Sequence, residues 1–324
     1  MEFSKFEAGS GDDDRRIDRV IRRFLPEKSL SSVYSSIRKG YIRINDRRIK
    51  PETHILKGDI LSVACFLLSK ASTSEKGTKI EIDFPCEIIF KNEHFLVINK
   101  PYDVPVQQSE TCSHALAEIV ADYYKAVSGQ KKESLSFTPG PLHRLDRKTT
   151  GILFFSWSLE GARWFSGQMT AHIFEKKYLA LVQGNLYATE EWEDFIETKN
   201  DLNSSFHTVR LVTSDGKYAH TKAEPLDSGI YNGISVTLVK FTITTGRMHQ
   251  IRVQSASHGY PLLGDTAYGG TAIREVQNFF LHAYEVDIGD NKLGLPPFLK
   301  APLLTNFNNM LNKTLINWRN SFIL

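Results

Sequence analysis

The 324-residue sequence predicts an α+β protein in two parts, a small basic module followed by a larger mixed body. Three observations carry that expectation. Between Arg15 and Leu68 the apolar residues fall first at helical and then at strand spacing. A small, polar, turn-prone tract then interrupts the pattern from Ser69 to Lys79. Beyond it, strands outnumber helices without alternating regularly with them, which disfavours a doubly wound sheet.

The module, residues 15–68, opens on Ile17, Val20, Ile21 and Phe24, one apolar stripe at i, i+3, i+4 and i+7. Arg15, Arg19, Arg22 and Arg23 occupy other faces of that helix. Asp12, Asp13 and Asp14 stand where they would complement its dipole, and Pro26 closes it. Ser29 is placed to cap a second helix through Val33, Tyr34 and Ile37, ended by Gly40. Tyr41 to Ile44 alternates, Asn45-Asp46 is turn chemistry, and Arg47-Arg48-Ile49 returns as a short strand. Residues 69–79 read as a flexible linker, leaving 80–324 as the body.

In the body, Ile88 to Phe90 and Phe95 to Ile98 read as a hairpin around Asn92-Glu93. Ser113 can cap a helix with Leu116, Ile119, Val120, Tyr123 and Val127 on its inner side. Ile152-Leu153-Phe154-Phe155 is a buried strand, leading through Ser158 into a helix with Leu159, Ala162, Phe165 and Met169. Lys177 to Val182 is a strand stopped at Gly184, and Ile234 to Ile243 is another. Leu186 to Asn232 is too weakly patterned to place.

The net charge of +3 hides an asymmetry. Thirteen Lys and Arg against five Asp and Glu lie between Arg15 and Ile60, a local balance of +8, so the rest carries −5. A basic module on a slightly acidic body suits a polyanion, nucleic acid before an anionic membrane. Two helices and a hairpin bearing exposed arginines suit phosphates rather than base edges; a merely solubilising surface has the same composition. Three cysteines, with no C-x-x-C spacing, fit neither a disulfide framework nor a zinc site and point to a reducing compartment. The N-terminus has no signal-peptide pattern, and the densest apolar run, Leu61 to Leu68, is too short to span a membrane. A cytoplasmic protein is expected.

The chemistry centres on His143-Arg144-Leu145-Asp146-Arg147-Lys148-Thr149-Thr150-Gly151, one carboxylate among three cations at the mouth of a core strand. The surrounding positive charge favours its ionised form. Thr245 to Val253 is a second cationic stretch, from which Arg252 could pair with Asp146. His249 and His258 have no carboxylate or cysteine at ligand spacing, so no metal is expected. The absence of G-x-S-x-G and of a Gly-rich phosphate loop disfavours a nucleophile-elbow hydrolase and a P-loop NTPase.

Two resemblances sharpen this reading. Arg16-Ile17-Asp18, Ile37 to Asn45, Ile49-Lys50-Pro51 and Lys57-Gly58-Asp59 resemble an S4-like RNA-binding domain. Val97 to Pro101, His143 to Gly151, Lys177 to Gly184, Thr245 to Val253 with Gly259 to Gly269, and Leu281-His282-Ala283 follow in the order seen in the RluA family of pseudouridine synthases. The resemblance implies a largely antiparallel catalytic sheet with flanking helices and an isomerase needing no cofactor or metal. It further implies Asp146 as the essential aspartate acting on the ribose, Arg252 as its partner, and Tyr178 as the tyrosine against the base. Arg147 corresponds to the residue filling the gap left by a flipped nucleotide, while His143 and Arg144 would position RNA or the loop.

With Arg22, Arg23, Arg38, Lys39, Arg43, Arg47 and Arg48 as phosphate contacts, the layout resembles the branch of the family that acts on large-subunit ribosomal RNA, and a monomer is expected. Transfer RNA, or a non-catalytic RNA-binding protein of the same layout, are the alternatives. Departures from the family pattern include Thr150, Gln254 and Tyr102-Asp103, the last replacing a small residue and glycine.

Overall fold

The computed structural model describes residues 1–25, 27–68, 84–108, 115–128, 134–135, 137–200, 207–273, 279–314 and 316. Pro26, the linker 69–79 and the cap Ser113 lie outside them.

In the N-terminal module the strands are β1 (Phe3–Glu7), β2 (Arg15–Arg16), β3 (Ile42–Ile44), β4 (Arg47–Arg48), β5 (His54–Ile55) and β6 (Ile60–Ala64). The helices are α1 (Ile17–Phe24) and α2 (Leu30–Arg38). Ile17, Val20 and Ile21 are fully buried against Val33, Ile37, Ile42 and Leu61. Ser29 caps α2 by accepting from the Ser32 N–H at 3.3 Å. Asn45 and Asp46 take positive φ (49° and 62°), the backbone that joins β3 to β4 in a two-residue hairpin.

Two expectations change. The sheet runs β1-β6-β3-β4, so the module includes Phe3–Glu7, upstream of residue 15. The three aspartates do not serve α1, whose first-turn carboxylate is Asp18, held by Arg16 at 2.7 Å. Asp12 is buried and accepts from Ser134 Oγ and the Leu135 N–H, both at 2.6 Å. Asp13 accepts from the Lys57 N–H, and Asp14 meets His54. Each carboxylate finds a long-range partner that spacing along the chain does not reveal. Leu135 completes the contact, being buried in the module's own core.

The body is built on a ten-stranded sheet. Its strands are β7 (Glu87–Lys91), β8 (Phe95–Lys100), β9 (Thr150–Ser156), β10 (Glu175–Gln183), β11 (Glu190–Asn200), β12 (His207–Val212), β13 (Lys217–Tyr231), β14 (Ile234–Ile243), β15 (Leu281–Asp287) and β16 (Phe298–Lys300). The order is β12-β11-β13-β14-β10-β15-β9-β8-β7, with β16 beside β15. Every described pairing is antiparallel except β9 with β15. Gly151 belongs to that parallel pair with φ 104°, and a Cβ there would collide with the Ala283 backbone, so only glycine fits.

Helices α3 (Leu116–Ser128), α4 (Leu159–Thr170), α5 (Gln250–Ser257) and α6 (Thr305–Lys313) flank the sheet. Ser158 caps α4 through the Gly161 N–H at 3.0 Å. On α3, Leu116 and Val120 are buried but Val127 is exposed, because the inner face does not reach the last turn. The unplaced region after Leu186 forms β11, β12 and much of β13. Its pattern is weak because Trp192 and Ile196 point inward from a strand otherwise rich in glutamate, while Phe195 faces solvent. No helix among the described residues is long and apolar enough to cross a membrane.

Candidate active site

Asp146 lies on the loop that enters β9, at the parallel junction with β15. Leu145 anchors it inward, and the Thr149 N–H closes a turn onto the Asp146 carbonyl at 3.0 Å. Beneath this loop sits Lys100, fully buried at the end of β8. Its Nζ donates to the carbonyls of Pro101 (3.0 Å), Arg147 (2.8 Å) and Thr149 (2.9 Å). Burial pushes the Lys100 amine down to about 8, although the charge of Asp146 acts in the opposite sense.

Arg252 comes from the first turns of α5. Gln250, buried, fixes that end of the helix by accepting from Thr245 Oγ1 (2.9 Å) and the Arg247 N–H (3.0 Å). It also donates to the His220 carbonyl at 3.0 Å. Arg252 then donates from Nη1 to Asp146 Oδ2 at 3.1 Å. Its other edge is bidentate on Asp265, Nε to Oδ2 at 2.6 Å and Nη2 to Oδ1 at 2.9 Å. Burial works against the guanidinium charge, but Asp265 and then Asp146 hold it above its ordinary value. The rings of Phe279 and Tyr268 cover its plane, 4.4 and 4.9 Å from Cζ.

Tyr178 projects from β10 beside a register shift opposite β15. It is buried, and burial together with the Asp146 charge raises its phenol above the ordinary range. His249 precedes α5 with left-handed backbone, its Nδ1 2.8 Å from Tyr268 Oη and its Nε2 3.7 Å from Asp146 Oδ2.

Asp146, Tyr178 and Arg252 are thus brought together. Arg147 stands at the rim, its exposed guanidinium paired with Asp103 at 2.9 Å, and Arg144 is also exposed. Of the two roles expected for His143, positioning RNA or the loop, its described contacts serve the loop. Its Nε2 accepts from the Phe154 N–H at 3.1 Å, a backbone hydrogen bond joins it to Arg144, and its ring stacks on Phe165. Burial, with Lys176 nearby, lowers it to about 3, so it holds the loop as a neutral imidazole.

Arg22, Arg38, Lys39, Arg47 and Arg48 are exposed on the N-terminal module. Arg43 is half-buried, donating to the Gly40 carbonyl at 2.9 Å and lying over Phe3, and the Arg23 side chain falls outside the description. His258 faces Asp194 at 3.0 Å, at the other end of α5 from His249. Among the described residues no three His, Cys, Asp or Glu side chains gather to hold a metal.

Sequence reasoning gave no role to Asp265, Tyr268 or Lys100, although each stood inside a recognised motif. The departures are absorbed by hydrogen bonds: Thr150 Oγ1 meets His282 Nδ1 at 2.7 Å, and buried Gln254 bonds Thr221 and Asp194.

A carboxylate and arginine paired at the central strand junction, with a buried tyrosine alongside, are arranged as the resemblance to the pseudouridine synthase class implies. Residues 94–257 match the RNA pseudouridylate synthase family, and the chain belongs to that family. Among its relatives are ribosomal large subunit pseudouridine synthase C of Pasteurella multocida, 30% identical over 94% of this chain and 90% of the relative. The protein of the same name from Vibrio vulnificus is 28% identical over 89% of each. Human RNA pseudouridylate synthase domain containing 4 shares the fold, with a TM-score of 0.57 at 21% identity over 72% of this chain and 95% of that one. Human RNA pseudouridylate synthase domain containing 1 does so at 0.52 and 24%, over 75% and 98%.

Proposed function

We propose that this pseudouridine synthase isomerises uridines of large-subunit ribosomal RNA, with Asp146 acting on the ribose. The observation that carries the site assignment is the Arg252–Asp146 contact of 3.1 Å inside the region that matches the family. Arg252 orients the carboxylate, and buried Tyr178 supplies a neutral phenol against the base. Arg147, exposed at the rim, fills the gap left by a flipped nucleotide and exposed Arg144 meets the RNA backbone; the unstacking costs a few kcal/mol that RNA contacts must offset.

The ribosomal substrate is supported by the names of the bacterial relatives. It is supported too by the exposed cations of the N-terminal module, read as an S4-like domain holding phosphates. On this reading the enzyme is cytoplasmic, acts as a monomer, and uses no cofactor or metal.

Two measurements test it. Asp146→Asn is expected to release no tritium from 5-tritiated uridine in RNA while binding that RNA as the parent does; substantial turnover would remove Asp146 from the reaction. Carbodiimide mapping of RNA from cells with and without the gene is expected to lose pseudouridine from large-subunit ribosomal RNA. Loss confined to transfer RNA would reassign the substrate.

A further inference from the structure

Turning uridine into pseudouridine exchanges a C1′–N1 bond for a C1′–C5 bond. C5 must therefore shed a proton and N1 must gain one, so the cleft needs a group that takes the C5 proton and passes it on. Tyr178 is poorly suited, since its burial keeps it a neutral phenol. Asp146 can accept a proton, but the carboxylate must be restored before the next turnover.

His249 stands where it could do this. Its Nε2 is 3.7 Å from Asp146 Oδ2, about half an ångström beyond hydrogen-bond range, and Oδ2 is also the oxygen Arg252 holds. Its Nδ1 is 2.8 Å from Tyr268 Oη. A hydroxyl both donates and accepts, so Tyr268 satisfies Nδ1 in either neutral tautomer and in the imidazolium. The ring is about a quarter exposed, leaving a path to water. The charged and titratable groups facing it include Asp146 on the β9 loop and Tyr268 on the turn after Asp265, with Arg252 and Asp265 behind them. No role assigned so far uses this imidazole.

We propose that His249 is the proton carrier of the site, resetting Asp146 after it collects the C5 proton. The C5–H bond breaks, its electrons restore the C5=C6 double bond, and Oδ2–H forms. That bond then breaks as Nε2–H forms, giving a carboxylate and an imidazolium that yields its proton to solvent. N1, left with the electrons of the broken glycosidic bond, takes a proton from water, so no net proton is consumed. This step rests on Asp146 being the reacting carboxylate.

The test uses the full chain with His249→Asn and His249→Gly, both suited to the φ of 53° at this position. Steady-state tritium release over many turnovers at saturating RNA is expected to fall about 100-fold or more in each, with the first-turnover burst and RNA affinity within about threefold of the parent. Added imidazole should restore the glycine variant at least about tenfold in proportion to its free-base form, and leave His249→Asn and Asp146→Asn unchanged. A parental rate in His249→Asn, or a glycine variant that binds RNA normally and is not rescued, overturns the proposal. An active Asp146→Asn would instead overturn the site assignment beneath it.

Discussion

Asp265 grips two nitrogens of Arg252, at 2.6 and 2.9 Å, and thereby points the third at Asp146. A lone arginine opposite a carboxylate could swing through several rotamers. The second carboxylate, buried to 2% exposure, removes that freedom.

Asp265→Asn is therefore expected to lower kcat roughly 100-fold with KM for RNA little changed, because the pair acts on geometry at the reacting carboxylate. Asp265→Ala should in addition cost about 3–5 kcal/mol of stability, since it leaves a buried guanidinium without its main counter-charge. Steady-state kinetics and chemical denaturation read the two effects separately. A KM effect alone would make Asp265 part of the RNA surface.

Lys100 predicts an alkaline limit. Three carbonyls require three donors, which an ammonium has and a neutral amine lacks. With the folded value lowered from 10.5 to about 8, the loop should loosen and kcat fall as pH rises through about 8. The sign for stability is opposite. The unfolded chain binds more protons in that window, so the contribution of this group to stability rises with pH between about 8 and 10.5. Lys100→Met should flatten both profiles. A wild-type kcat constant through pH 9.5, on RNA shown to stay folded, would contradict the role given to Lys100.

Asp103 takes the place of a glycine in the family pattern, and its φ of 60° is a glycine-like conformation. It occupies the guanidinium of Arg147 with an exposed ion pair worth at most about 1 kcal/mol. Asp103→Gly should free Arg147 for RNA and lower KM by up to about fivefold without changing kcat. An unchanged KM for an RNA whose binding does depend on Arg147 would show that the pair exerts no restraint.

The N-terminal module offers a fourth test. Removing residues 1–79 deletes Arg22, Arg38, Lys39, Arg47 and Arg48, and should reduce the slope of RNA binding against salt by about one unit for each phosphate they neutralise. The body is expected to stay folded and active at saturating RNA. It is also expected to melt earlier, because Leu135 is stripped of its pocket and Ser134 of its partner Asp12. Equal salt slopes for the full-length and truncated proteins would mean that the module does not touch the RNA.

Local pattern was enough for much of the fold. The α1 stripe, the Ser29 and Ser158 caps, the two hairpins and the strands at Ile152 and Ile234 each depend on neighbours a few residues away. The strands between Glu190 and Tyr231 were illegible because they are solvated on one face and read as polar chain.

The candidate site divides along the same line. The sequence alone determined which short stretches carry the carboxylate, the tyrosine and the arginine, since ordered motifs are linear objects. It also determined that a basic module precedes them. The pairing of Asp146 with Arg252, 106 positions apart, was expected from the resemblance, but tertiary structure alone decided that Asp265 would lock the arginine in place. It likewise decided that Lys100 would be buried under three carbonyls and that His143 would turn inward to the Phe154 amide. Burial and sheet order assign those partners, because a buried polar group bonds whatever the packing brings within reach, and that choice leaves no mark at fixed spacing along the chain.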